Sequence, residues 1–159
     1  MDILFSVPIE PKGKPRATPV RMGKSGRVRM VKTKSTRDWA NTVSLHAAMY
    51  LPAYLIDEPV RVDILAVHGR PAYMKKKDRK GEYRHPTGLT PCRKKPDIDN
   101  IVKHVYDALK RFWKDDCLVV DGRSAKVYSE IDGDARIVIR VRSVSTIEED
   151  DWLKEMADA

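Results

Sequence analysis

Two tracts broken by proline and glycine set the limits on what this chain can fold into. Residues 10–35 carry Pro11, Gly13, Pro15, Pro19, Gly23 and Gly26; residues 68–94 carry Gly69, Pro71, Gly81, Pro86, Gly88 and Pro91. Neither tract can hold a continuous helix, because proline removes an amide donor and glycine is costly to order. The first reads as a long basic loop or ragged hairpin, with room for a short strand around Val28 and Met30, and the second as a long basic loop. Loops of that length are uncommon in a compact domain and are usually functional or disordered, and both are expected to be mobile in the free protein.

Regular elements must therefore lie between and beyond the tracts. Residues 3–9 read as a first strand ending at Pro11. Ser35 or Thr36 can cap a helix over 37–50, whose stripe is Trp39, Val43, Ala47 and Tyr50 before Pro52 ends it. Residues 60–67 alternate Val60, Val62, Ile64 and Ala66 with Arg61 and Asp63, the pattern of a half-buried strand. Asp97, placed after Pro96, reads as the N-cap of a helix over 98–112 with Ile101, Val105, Ala108 and Phe112 on its core side. Short strands at 118–120 and 126–128 flank a turn at Asp121-Gly122, and residues 136–142 alternate as a last strand. Thr146 and Glu149 form a capping-box pattern for an acidic terminal helix. The expectation is an α+β fold: helices packed on one small mixed sheet over residues 1–145, followed by an acidic tail over 146–159.

At 159 residues the chain suits one domain with a proper core. It contains no apolar run near the roughly 20 residues a membrane-spanning helix needs, and its start lacks the basic region of a signal peptide. Cys92 and Cys117 lack disulfide-scaffold or zinc-site spacing and read as free thiols in a reducing compartment. A cytoplasmic protein is expected.

Charge is segregated. Residues 11–37 hold ten Lys/Arg and no acid, while residues 68–95 hold ten Lys/Arg against Asp78 and Glu82. The net charge of +8 therefore leaves the rest of the chain at −10. The tracts could be solvated loops, but such stretches attract the phosphate backbone of nucleic acid whatever its sequence. Lys12, Lys14, Arg16, Lys75, Lys76 and Lys77 are the candidate DNA contacts. Tyr73 and Tyr83, inside the second tract, are candidates for base or sugar contact.

The acids gather in one block, from Lys95-Pro-Asp-Ile-Asp-Asn-Ile-Val-Lys103 to Trp113-Lys-Asp-Asp116. Several hard oxygen donors suit Mg²⁺ or Mn²⁺, and a lysine beside them can neutralise charge developing on a phosphate. Plainer readings exist. Asp97 and Asp99 could only cap and offset a helix dipole, and Asp99 with Lys103 could be a surface i,i+4 pair. Asp115 and Asp116 fit those readings less well, since acids are unfavourable at a helix C-terminus. Asp107, mid-helix, could support the ligands from behind, meet a second copy, or simply be solvated, and the last is the preferred reading. His46, His68, His85 and His104 form no ligand pattern, with His104 on the helix flank. Trp39 and Trp113 read as core.

Taken together, Lys95-Pro-Asp-x-Asp-Asn-x-x-Lys103, Asp107-Ala-Leu109 and Trp113-x-Asp-Asp116 followed by Val119 and Val120 resemble the signature of RusA-type Holliday junction resolvases. The opening Pro11-Lys-Gly-Lys-Pro-Arg16 is similar to that family's N-terminal basic motif, and the resemblance spans residues 3–142. It implies an Mg²⁺-dependent endonuclease, with Mn²⁺ able to substitute, acting as a homodimer on four-way and other branched DNA by paired nicks. It also implies metal ligands at Asp97, Asp99 and Asp116, with Lys103 completing the catalytic set. In one departure, Lys110-Arg-Phe112 is shorter and more helical than the Gly-containing turn the family often has there. Alternatives are a non-catalytic basic DNA-binding protein and, less well matched, a metal-dependent phosphotransferase or phosphatase; the chain lacks a Gly-rich nucleotide loop.

Overall fold

A computed structural model describes residues 1–14, 18–22, 27–31 and 34–144. Along the chain run β1 (Asp2–Val7), β2 (Thr18–Met22), β3 (Arg27–Val31), α1 (Lys34–Ala47), β4 (Val60–His68), β5 (Thr90–Pro91), α2 (Ile98–Leu109), β6 (Val119–Asp121), β7 (Ser124–Tyr128) and β8 (Arg136–Ser143). The fold is α+β. The helix expected at 146–159 lies outside the described residues.

The main sheet is mixed, with order β1-β8-β4-β7-β5 and β6 also paired to β4. β8 runs antiparallel to both β1 and β4, whereas β6 and β7 run parallel to β4. Parallel neighbours need a crossover, and α2 is its helix. α2 therefore leaves from one end of the sheet and the chain returns to the sheet at the other. At the β6–β7 turn, Gly122 lies so close to the Val62 carbonyl that a side chain there would collide with it.

The helices pack on that one mixed sheet, and β2 and β3 form a separate antiparallel pair, the hairpin that the first tract allowed. β2 contains Pro19, which cannot donate to a ladder and is tolerated only at an edge. In a two-stranded ribbon every strand is an edge. β5, also proline-bearing, is too short to leave a periodic signal.

Alternation translates directly into burial. Val62, Ile64 and Ala66 of β4, Ile137, Ile139 and Val141 of β8, and Phe5 and Val7 of β1 face the helices. Trp39, Val43 and Ala47 of α1 and Ile101, Val105, Ala108 and Leu109 of α2 cover them. α1 begins at Lys34 and ends at Ala47, so Ser35 and Thr36 lie inside its first turn. Tyr50 falls past the helix end and stacks on Phe5 with ring centres 5.3 Å apart. On the other face, the outward arginines of β8 pair diagonally across strands, Arg140 with Asp2 and Arg142 with Asp63.

Candidate active site

Asp97 occupies the N-cap of α2 with the extended backbone that position requires (φ −68°, ψ 150°), yet its side chain makes no capping hydrogen bond. An exposed aspartate at an N-cap normally accepts a helix N–H. Here the carboxylate is left facing outward. The preceding Lys95–Pro96 peptide is cis, and Lys126 of β7 secures this lead-in by donating to the carbonyls of Lys94 (2.7 Å) and Pro96 (2.9 Å).

Asp99 stands in the first turn of α2, and Lys103 Nζ lies 3.0 Å from its Oδ2. That hydrogen bond holds the Asp99 carboxyl below the usual carboxylate range. Both side chains are well exposed, at 59% and 63%, so screening keeps the pair weak and exchangeable. The lysine can be drawn from Asp99 toward another anion at little cost.

The acids after α2 are not alike. α2 stops at Leu109, Lys110–Phe112 continues as a 3-10 turn, and Asp116–Leu118 forms a further 3-10 turn. Asp115 caps that second turn, its Oδ1 accepting the Cys117 N–H at 2.9 Å, which lowers its carboxyl pKa. Asp115 and Asp116 thus stand at the start of a new turn, where acids are favoured, and not against the C-terminus of α2 as the sequence suggested. Asp115 has a structural partner; Asp116 is exposed and makes no comparable cap.

Register places these groups at opposite ends of α2. Lys126, which reaches the Pro96 carbonyl, is opposite Ala66 of β4, whereas Val119, three residues after Asp116, is opposite Val60. Six residues of strand separate those positions by about 20 Å, and twelve residues of α2 span about 18 Å. Among the described residues no three His, Cys, Asp or Glu side chains lie together as a metal-holding group. Asp97 and Asp99 are hard oxygen donors of the right kind for a divalent cation, but within one chain Asp116 does not join them.

The first basic tract crosses the start of α2. The Lys14 N–H donates to the Asn100 carbonyl at 2.9 Å. A β-carbon on Gly13 would sit 2.7 Å from that of Pro96, so only glycine permits this approach. Lys12 is exposed, with Nζ 3.5 Å from Ser35 Oγ. Lys14 Nζ lies 2.9 Å from Asp107 Oδ2, which corrects the reading of Asp107 as merely solvated: it lies half-buried beneath the tract and anchors it. An open cleft of about 490 Å³ runs past Lys12, Lys14, Ser35, Pro96, Asn100 and His104. Arg16 lies outside the described residues.

His104 holds the tract from below. It is 2% exposed, buried rather than on the helix flank. Its Nδ1 is 3.0 Å from the Lys12 carbonyl and its Nε2 3.4 Å from that of Thr36. Its ring stacks on Trp39 at 4.1 Å, and Trp39 donates to the Glu10 carbonyl at 3.0 Å. A signal for this was present: residue 104 follows Ile101 by three and precedes Val105 on the apolar side. His68 is likewise buried, with Nδ1 2.8 Å from Glu10 Oε1, while Oε2 accepts the Gly69 N–H at 3.1 Å.

The second tract is folded, not a plain loop. Arg70, 6% exposed, donates to the carbonyls of Ser129 (2.7 Å), Pro86 (2.6 Å) and Gly88 and to Thr90 Oγ1 (3.2 Å). Five N–H groups in a fixed fork suit one side chain to tying several strands of loop together. Nothing in a run of ten basic residues distinguishes this one. Lys75, Lys76 and Lys77 stay exposed at the end of a 3-10 turn over Ala72–Lys75 and just beyond it.

No helix among the described residues is long and apolar enough to cross a membrane. The family model described as Endodeoxyribonuclease RusA matches residues 8–142. Uncharacterized protein YqaN of Bacillus subtilis (strain 168) is 36% identical over 149 residues, covering 90% of this chain and 97% of that protein.

Proposed function

The chain belongs to the RusA family of endodeoxyribonucleases, and from that premise we propose that it cuts four-way and other branched DNA by paired nicks, as a metal-dependent homodimer. The observation that carries this reading is the unspent carboxylate of Asp97 at the α2 N-cap, next to the Asp99–Lys103 pair. A purely structural N-cap would be bonded to its helix; a ligand-binding carboxylate is left open.

Because Asp116 lies at the far end of α2 from Asp97, a complete set of three aspartates takes two copies of the chain. Asp97 and Asp99 of one copy and Asp116 of the other would hold Mg²⁺, or Mn²⁺ in its place. When bound, the ion supplies a Lewis acid and a means of generating a hydroxide nucleophile. Two such sites related by a two-fold axis match the two equivalent scissile phosphates of a four-way junction.

The remaining chemistry belongs to the chain's own side chains. Lys103 turns from Asp99 toward the scissile phosphate and offsets the negative charge that builds there. Lys12 and Lys14, on the tract pinned across α2, grip the backbone beside it, with Arg16 following in sequence. Lys75, Lys76 and Lys77 extend the phosphate contacts from the second tract. A non-catalytic DNA binder would share these lysines, but has no use for an N-cap aspartate that caps nothing.

The test is incubation of the protein with a labelled four-way junction in Mg²⁺ and then in EDTA. Paired nicks in Mg²⁺ and intact junction in EDTA are expected. Binding without cleavage under every metal tried would leave the non-catalytic reading in place.

A further inference from the structure

We propose that residues 72–85 form a rigid aromatic platform on which unstacked bases at the branch point of the DNA rest. The proposal builds on the reading of branched DNA as substrate and adds the group that senses the branch.

The platform is a small hairpin with its own internal bonding. Lys77 and Tyr83 form an antiparallel bridge, and the Arg84 N–H donates to the Lys76 carbonyl at 3.2 Å. Asp78 closes the turn: its N–H donates to the Glu82 carbonyl at 2.8 Å, and its Oδ1 accepts the N–H groups of Lys80 (2.8 Å) and Glu82 (3.0 Å). Gly81 takes the left-handed conformation there, φ 82°, which favours glycine. Arg70 clamps the base of the hairpin through Pro86, Gly88 and Thr90, and buried Met74 packs with Cys92 and Tyr128 beneath it. A surface with this much structure before DNA arrives loses little freedom on binding.

Two aromatic rings stand out on it. Tyr73 is 56% exposed and Tyr83 38%. Tyr83 is held by Lys77, whose Nζ is 4.7 Å from the ring centre, and Tyr73 by the edge of His85 at 5.9 Å. Fixed, exposed rings amid Lys75, Lys76, Arg79 and Arg84 combine a stacking face with a phosphate-attracting rim, the pairing that binds unstacked nucleotides without reading sequence. An intact duplex keeps its bases stacked and offers such rings nothing; a branch point, where stacking is interrupted, does.

Location agrees. Thr90 and Pro91 pair with Tyr128 and Val127 of β7, and Lys126 on that same strand holds the segment entering Asp97. The hairpin and the Asp97–Asp99 turn therefore leave the same end of the sheet.

The test uses the full chain with a four-way junction carrying 5-iodo-deoxyuridine at branch-point positions, irradiated in EDTA, and a matched duplex as control. Crosslinks are expected in peptides containing Tyr73 or Tyr83. The Tyr73→Ala/Tyr83→Ala double variant should lose about tenfold or more in junction affinity, the size of one or two lost base stacks, and keep its duplex affinity. Tyr73→Phe/Tyr83→Phe should behave as wild type, since stacking needs the ring and not the hydroxyl. Equal losses on junction and duplex, or Phe variants as weak as Ala, would overturn the platform. If the wild type prefers the junction and the Ala variant retains that preference, the platform alone is wrong. If the wild type shows no junction preference, the branched-DNA reading fails and the platform with it.

Discussion

The two ends of α2 carry acids of nearly identical appearance in sequence and quite different standing in the structure. At the N-terminal end, Asp97 sits where a cap belongs and does not cap, and Asp99 is paired with an exposed lysine. Beyond the C-terminal end, Asp115 caps a 3-10 turn through the Cys117 N–H, while its neighbour Asp116 makes no such bond. Adjacent aspartates thus divide into one that builds and one that is available. The difference shows that a carboxylate becomes a candidate for chemistry when local structure provides a role and the side chain does not take it.

The sharpest way to break this division is to neutralise the available acids one at a time. Asp97→Asn, Asp99→Asn and Asp116→Asn should each reduce junction cleavage below detection and leave binding intact or tighter, because gathered carboxylates repel one another and the DNA. Cleavage and gel-shift assays on each variant would decide it, and near-normal cutting by Asp97→Asn would sink the assignment.

Lys103→Ala should lower the single-turnover rate by about a hundredfold, the size expected for one lost electrostatic stabiliser, with little change in affinity. The same variant carries a pH signature. The Lys103 hydrogen bond depresses the Asp99 carboxyl pKa, so its removal should move the Asp99 titration to higher pH in a carboxyl NMR titration. Lost affinity with an unchanged single-turnover rate would make Lys103 an ordinary phosphate contact.

The basic tracts offer a weaker contrast. Junction affinity should fall with salt at a log–log slope of about −5 or steeper, and replacing Lys75, Lys76 and Lys77 with Ala should flatten it by about 2 to 3, near one unit per phosphate contact. Binding should weaken for all sequences alike and the cut position should not move. A wild-type slope shallower than about −2 would place the tracts away from the DNA.

Asp115→Ala should have the smallest effect. A cap lost from so short and exposed a turn costs little stability. The rate should stay near wild type while the urea midpoint falls slightly. A collapse of cleavage with normal stability would erase the distinction between the two neighbours.

Much of this was legible from residue pattern alone. The stripe Trp39, Val43, Ala47 and the alternation of Val60, Val62, Ile64 and Ala66 are buried as their periods require, because burial of one face is what those periods record. The Lys95–Lys103 block pointed to α2 and to its N-cap. What could not be read was long-range placement. Nothing local says that Arg70, among ten basic residues, turns inward to bind four oxygens, or that Lys14 returns to Asp107 from 93 positions away. The separation of Asp97 from Asp116 is of the same kind, fixed by β6 and β7, after the crossover helix, lying parallel to β4 before it.

That separation supports the central claim, that each site is completed by a second copy. Asp97→Asn and Asp116→Asn proteins, each inactive alone, should be co-refolded and given a labelled four-way junction in Mg²⁺. Half of randomly reassorted dimers are mixed, and each mixed dimer holds one intact site, so nicking of a single strand should recover to roughly a quarter of the wild-type site number. A mixture that binds the junction, exchanges subunits and still cuts nothing would contradict the account, since it would mean that each chain supplies all three aspartates to its own site.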